Sequence, residues 1–183
     1  MPFYQLVAMD LDGTLLTSET VVTPRTRKAL QDCADAGVKV IFSSGRMLSS
    51  IAKVAGQASY LSGVIGYNGA LIAEWPTKRI VRETPVPSTI ARRLVTDLKK
   101  SSVHINIYLN DTLYIEEFNE AARNYCRNTA VEPSIANFDE LLNHRAANPT
   151  KVLIIGKPEV LNDMAEEYSA GYPELHVTKS RPH

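Results

Sequence analysis

The sequence predicts an α/β fold in two parts: an open parallel sheet first, then an α+β segment. Three observations carry this. An apolar run, a helix signal and a second apolar run follow one another closely between Phe3 and Phe42. Strand, helix, strand with short connections is a right-handed βαβ unit and implies a parallel sheet. The first run ends in Asp10 and Asp12, with Gly13 behind them, and the carboxyl ends of such strands are where open α/β sheets bind ligands. After Pro85-Val86-Pro87 the pattern changes to helices alternating with short antiparallel strands, the arrangement of an α+β domain with helices on one face.

Phe3 to Met9 is apolar along nearly its whole length, as in a strand covered on both faces. Side chains alternate along a strand, so Asp10 and Asp12 share a direction if the strand continues through them; Gly13 then permits a sharp turn. Thr17 to Val22 is a polar loop. Thr23-Pro24 opens a helix, with Thr as N-cap and Pro in the first turn. Ala29, Leu30, Cys33 and Ala34 give it an apolar stripe, and Gly37 ends it. Val38 to Phe42 is the second strand. It runs into Ser43-Ser44-Gly45-Arg46 and a helix from Leu48 to Ala58. A strand feeding a hydroxyl-glycine loop and a helix N-terminus is a ready anion site. The same residues also describe a plain N-cap followed by an exposed arginine. Gly63 to Tyr67 is the third strand, and Asn68-Gly69 is a turn signal. Ala70–Glu74 and Arg79–Thr84 alternate around Pro76-Thr77-Lys78 and read as a hairpin.

Beyond the Pro-Val-Pro spacer, Ser88 caps a helix with Ile90, Leu94, Val95 and Leu98 inside. His104–Leu109 and Thr112–Glu116 are strands joined by the tight turn Asn110-Asp111. Asn119–Asn128 and Phe138–Asn143 are helical, and Lys151–Ile155 is an apolar strand. Pro158 opens a helix to Gly171, and Leu175–Lys179 is a last strand. The boundary falls at residues 84 and 85, giving parts 1–84 and 85–183.

Of 183 residues, 44% are hydrophobic and 22% charged, ordinary for a globular protein, and the formal net charge is zero. Neither nucleic acid nor an anionic membrane is expected as a partner. Phe3–Met9 is too short for a signal-peptide core, and no apolar run reaches membrane-spanning length. Cys33 and Cys126 match no metal spacing and read as buried thiols, with one disulfide still open. The expectation is a cytoplasmic protein. Arg92, Arg93, Lys99 and Lys100 read as a solvated helix face, and His104, His144 and His176 as isolated side chains.

Asp10-Leu11-Asp12-Gly13-Thr14-Leu15-Leu16 resembles the first motif of the haloacid dehalogenase (HAD) superfamily of phosphatases and phosphotransferases. Ser44-Gly45-Arg46 and Asn68-Gly69 extend the resemblance to its Cof-like sugar-phosphatase branch. The resemblance implies a Rossmann-like core with an α+β cap domain that covers the active site and selects the substrate. It implies Asp10 as nucleophile and Asp12 as general acid and base. Mg²⁺ would be held by Asp10 and Asp12, with phosphate and substrate contacts from Gly13, Thr14, Ser44, Gly45, Arg46 and Asn68. For Asn68 the turn alone explains the residue as well. The substrate would be a small phosphorylated metabolite, foremost a sugar phosphate.

The family pattern also continues, past a strand like His176–Lys179, into a motif lysine and a Gly-Asp-x-x-x-Asp motif. These do not follow here, and Lys179 does not take the lysine's place. The core is therefore expected to be incomplete, with an open sheet edge beside the Asp10 strand and self-association through it. A phosphomutase of the same superfamily and a non-catalytic relative are the alternative readings.

Overall fold

The computed structural model describes residues 3–144 and 147–180. It comprises two compact units, Met1–Pro85 and Val86–His183.

The first unit is a five-stranded sheet in the order β1-β2-β3-β4-β5, which is also chain order. Its strands are β1 (Leu6–Asp10), β2 (Lys39–Ser43), β3 (Leu61–Gly66), β4 (Leu71–Glu74) and β5 (Ile80–Glu83). β1, β2 and β3 pair in parallel, and β4 and β5 extend the sheet antiparallel. The two parallel crossovers are the helices α1 (Pro24–Asp35) and α2 (Leu48–Ala55). Thr23 caps α1, its Oγ1 accepting from Thr26 N–H at 3.2 Å. At the other end Val38 N–H donates to Cys33 O and Gly37 N–H to Ala34 O. That double closure is the Schellman pattern, and Gly37 sits at φ +85° as it requires. Val40, Phe42, Ile51 and Val64 are fully buried and form the centre of this unit's core.

Two expectations for this unit need correcting. β1 is not covered on both faces: Leu6 is 48% exposed and Ala8 is exposed as well. It is the edge strand that was expected, paired only with β2 among the described residues, so nothing there shields its outer side. The strand also starts three residues later than predicted, with Phe3 and Tyr4 in water. In α1 only Leu30 of the stripe is buried; Cys33 and Ala34 are half-buried and Ala29 is exposed.

The second unit is a four-stranded sheet, β8-β7-β6-β9, built from β6 (His104–Leu109), β7 (Thr112–Ile115), β8 (Pro133–Ile135) and β9 (Lys151–Ile155). Asn110 and Asp111 both take positive φ, 51° and 55°, which gives the β6–β7 hairpin its two-residue turn. β6 lies between β7 and β9, and all six of its residues are buried. Ile105 and Ile107 point to one face. There they pack with Leu94, Val95 and Leu98 of α3 (Ser88–Leu98), Phe138 and Leu142 of α5 (Phe138–Asn143), and Met164 of α6 (Pro158–Gly171). The alternate residues His104, Asn106 and Tyr108 face the other way. Tyr108 Oη meets Tyr125 Oη of α4 (Glu120–Thr129). Helices therefore reach both faces of this sheet, not one.

Ser88 is not a cap. Pro87 holds the cap position, and Ser88 is the first helical residue, its N–H donating to Asn148 Oδ1 at 2.8 Å. Leu175–Lys179 forms no strand. Its alternation is strand-like, but no described strand offers it a ladder. β8, by contrast, is a strand the sequence did not suggest. No helix among the described residues is long and apolar enough to cross a membrane.

Candidate active site

The residues singled out in the sequence gather at the carboxyl ends of β1, β2 and β3. β1 stops at Asp10, which pairs in register with Ser43 at the end of β2. The strand does not continue through Asp12. Leu11 to Leu15 form one wide turn, closed by Leu16 N–H donating to Leu11 O at 2.9 Å. Within it Asp12 stays extended and Gly13 takes φ +75°, a conformation that an L side chain resists. Leu11 is fully buried and pins the turn, leaving Asp10, Asp12 and Thr14 exposed.

The β2–α2 loop is fixed from both sides. Ser44 N–H donates to Ile65 O at 2.9 Å, so β2 and β3 remain joined up to the loop. Asn68 N–H donates to Ser44 O at 3.1 Å, and Tyr67 N–H to Arg46 O at 3.0 Å. Within the loop, Arg46 N–H donates to Ser44 Oγ at 3.2 Å. Two glycines allow this close approach. A Cβ on Gly45 would lie 2.6 Å from Asn68 Oδ1, and one on Gly66 would lie 3.2 Å from Arg46 O. Tyr67, Asn68 and Gly69 all take positive φ, so the turn after β3 folds back over the Ser44 loop.

Arg46 carries the longest-range link. Its Nε donates to Asp12 Oδ2 at 2.8 Å and its Nη2 to Asp12 Oδ1 at 2.6 Å. Its Nη1 donates to Ser50 Oγ on α2 at 3.4 Å. The pair is partly in water: side-chain exposure is 20% for Arg46 and 49% for Asp12.

Direct contacts thus join Asp12, Ser44, Gly45, Arg46 and Asn68, and strand register places Asp10 beside them. Gly13 shapes the turn, and Thr14 is exposed on it. Ser50, buried beneath Arg46, was missed, because a serine one turn into an amphipathic helix carries no signal of its own. Among the described residues no three His, Cys, Asp or Glu side chains cluster as a metal cage. Mg²⁺ needs none, since it is usually held by one or two carboxylates plus water and substrate phosphate. The hard oxygens of Asp10 and Asp12 fit that donor chemistry.

In the second unit, the charged helix face is partnered. Lys99 Nζ donates to Glu116 and Asp139, both at 3.0 Å, and Lys100 to Asp97 at 2.8 Å. His104 is buried, with its Nε2 2.9 Å from Asn106 Oδ1, and burial lowers its pKa. His144 and His176 are exposed. Lys179 Nζ donates to Asn162 Oδ1. Cys33 and Cys126 are free thiols, half-buried and in different units.

Comparison with known proteins identifies a family. The family model for haloacid dehalogenase-like hydrolases matches residues 7–183. The pyridoxal phosphate phosphatase YbhA of Escherichia coli (strain K12) is 28% identical over 112 residues, 61% of this chain and 41% of that protein. The 5-amino-6-(5-phospho-D-ribitylamino)uracil phosphatase YcsE of Bacillus subtilis (strain 168) is 33% identical over 95 residues, 52% of this chain and 37% of that protein. The crystal structure of TM0651 from Thermotoga maritima superposes with a TM-score of 0.82 at 30% identity, covering 98% of this chain and 67% of that one. Matches to the first curated relatives span between 31% and 67% of their lengths. With its family model matched over residues 7–183, the chain belongs to the haloacid dehalogenase-like hydrolases, in their Cof-like branch.

Proposed function

We propose that the protein is a Mg²⁺-dependent phosphatase of small phosphomonoesters, sugar phosphates foremost, working through an aspartyl-phosphate on Asp10. The observation that carries this is the position of Asp10: an exposed carboxylate ending β1, in register with Ser43 and next to the braced Ser44 loop. The two named relatives, whose printed activities are on phosphorylated metabolites, support the substrate class. Met1–Pro85 is proposed as part of the catalytic core, and Val86–His183 as the cap-type specificity domain. A cytoplasmic location, and self-association through the β1 edge, belong to the same proposal.

In the first step a carboxylate oxygen of Asp10 attacks phosphorus in line, and the bond from phosphorus to the leaving oxygen breaks. Asp12, entering protonated, gives its proton to that oxygen. In the second step water attacks the phosphoryl group on Asp10 and Asp12 takes the water's proton, which frees Asp10 and releases phosphate. Ser44 Oγ holds a phosphoryl oxygen, and positioning and electrostatics of this kind supply most of the catalysis in phosphoryl transfer. The Asp10 carboxylate and the Asp12 carbonyl are the groups that would hold Mg²⁺, which when bound neutralises phosphate charge.

The test is hydrolysis of an aryl phosphate by the chain with and without Mg²⁺, beside Asp10→Asn. Mg²⁺-dependent turnover that disappears in the variant is expected. Turnover equal in both proteins would overturn the assignment of Asp10.

A further inference from the structure

The geometry points to Arg46, braced by Ser50, as a positioning residue for Asp12 and not as a ligand of the transferring phosphoryl group. The inference rests on the phosphatase reading for Asp12's role, and on the structure alone for its placement.

Asp12 follows the end of β1 and precedes a left-handed glycine, so its backbone alone fixes the carboxylate's direction poorly. In its ionised form, the one that takes the water's proton, both its oxygens are instead held by one guanidinium, Nε at 2.8 Å and Nη2 at 2.6 Å. A two-pronged fork of this kind sets orientation as well as attraction. The guanidinium is itself held from behind: Nη1 reaches Ser50 Oγ on α2, and the Arg46 carbonyl accepts from Tyr67 N–H. A Cβ on Gly66 would press on that carbonyl at 3.2 Å. The brace therefore runs from α2 and β3, through Arg46, to a side chain on the far side of β2.

An ion pair this exposed adds little to stability, so its consequence is directional. A group that must give and later take a proton has to lie within hydrogen-bond reach of both oxygens involved. A phosphoryl group meeting the Nε–Nη2 edge of Arg46 would have to displace Asp12 from it. One fork cannot serve both at once.

The test compares Arg46→Ala, Arg46→Lys and Ser50→Ala in the full chain. With an aryl phosphate, Arg46→Ala should lower kcat by roughly 100-fold, the scale of a misplaced catalytic group, with KM within about twofold. Inhibition by inorganic phosphate should be unchanged. Ser50→Ala should give a smaller fall in kcat, and Arg46→Lys a partial recovery. A tenfold rise in KM, with weaker inhibition by phosphate and kcat intact, would make Arg46 a phosphate ligand and overturn the inference. The Arg46 Nε–H signal in a proton–nitrogen spectrum reads the placement without any activity. It should be protected from exchange, lose protection in Asp12→Asn and weaken in Ser50→Ala; a signal indifferent to Asp12→Asn overturns the placement. A chain without turnover would defeat the phosphatase reading and leave this signal to decide the pair.

Discussion

The two units solve opposite problems. In the second, the central strand β6 is buried at all six positions, and a ten-residue apolar cluster ties its sheet to three helices. In the first, β1 has no fully buried residue, yet it ends in the residue on which the proposed chemistry depends. Packing organises the second unit. At the working end of the first, backbone hydrogen bonds between neighbouring loops do the organising, and Asp10, Asp12 and Asn68 are left exposed there while Ser44 is buried. Stability and chemistry are thus separated in the fold, with reactive groups on loops carried by strands.

The contrast predicts how substitutions divide. Phe138→Ala, at a site 1% exposed in the second unit's cluster, should destabilise by about 3–5 kcal/mol, read from urea unfolding. A loss below about 1 kcal/mol would mean that cluster is not the unit's anchor. Thr23→Ala removes the cap of α1 and should cost about 1 kcal/mol, seen as a lower midpoint in the same experiment. In the dissociated chain Leu6→Ala, on the open β1 edge, should stay within about 0.5 kcal/mol. At concentrations where copies pair through that edge the loss should be larger, and light scattering on the same samples would identify the paired state.

A pH measurement sharpens the contrast further. Burial, and the hydrogen bond from Tyr172 Oη to Asp97 Oδ2 at 2.6 Å, push the Tyr172 pKa up to about 12. The folded state then holds this proton more tightly than the unfolded chain. Its contribution is complete below the ordinary value of 10.0 and is lost as pH rises from there to about 12. Tyr172→Phe should flatten that part of the stability curve, and an unchanged curve would contradict the contact.

Much of the fold was legible because local chemistry fixes it. Thr23-Pro24 and Gly37 bound α1, Asn110-Asp111 set the β6–β7 turn, and β6, α5, β9 and α6 occupy the predicted residues. What failed depended on partners. Leu175–Lys179 alternates like a strand but has none to pair with among the described residues, while Pro133–Ile135, short and opened by proline, becomes a strand because β7 accepts it. β1 reads by composition as a strand covered on both faces and is not, though its open edge was expected. At the site, Asp10, Asp12, Ser44, Arg46 and Asn68 were visible through their motifs. The bond from Arg46 to Asp12 crosses 34 residues and left no trace in local pattern, and Ser50 became visible only as the support beneath it.

The central claim is that Asp10 accepts the phosphoryl group. Its most direct test is to quench the protein in acid during reaction with an aryl phosphate and Mg²⁺, and to locate any phosphoryl adduct by peptide mass spectrometry. An adduct on Asp10, absent from Asp10→Asn, is the predicted result. Turnover without an adduct there, or with one on another residue, would contradict it.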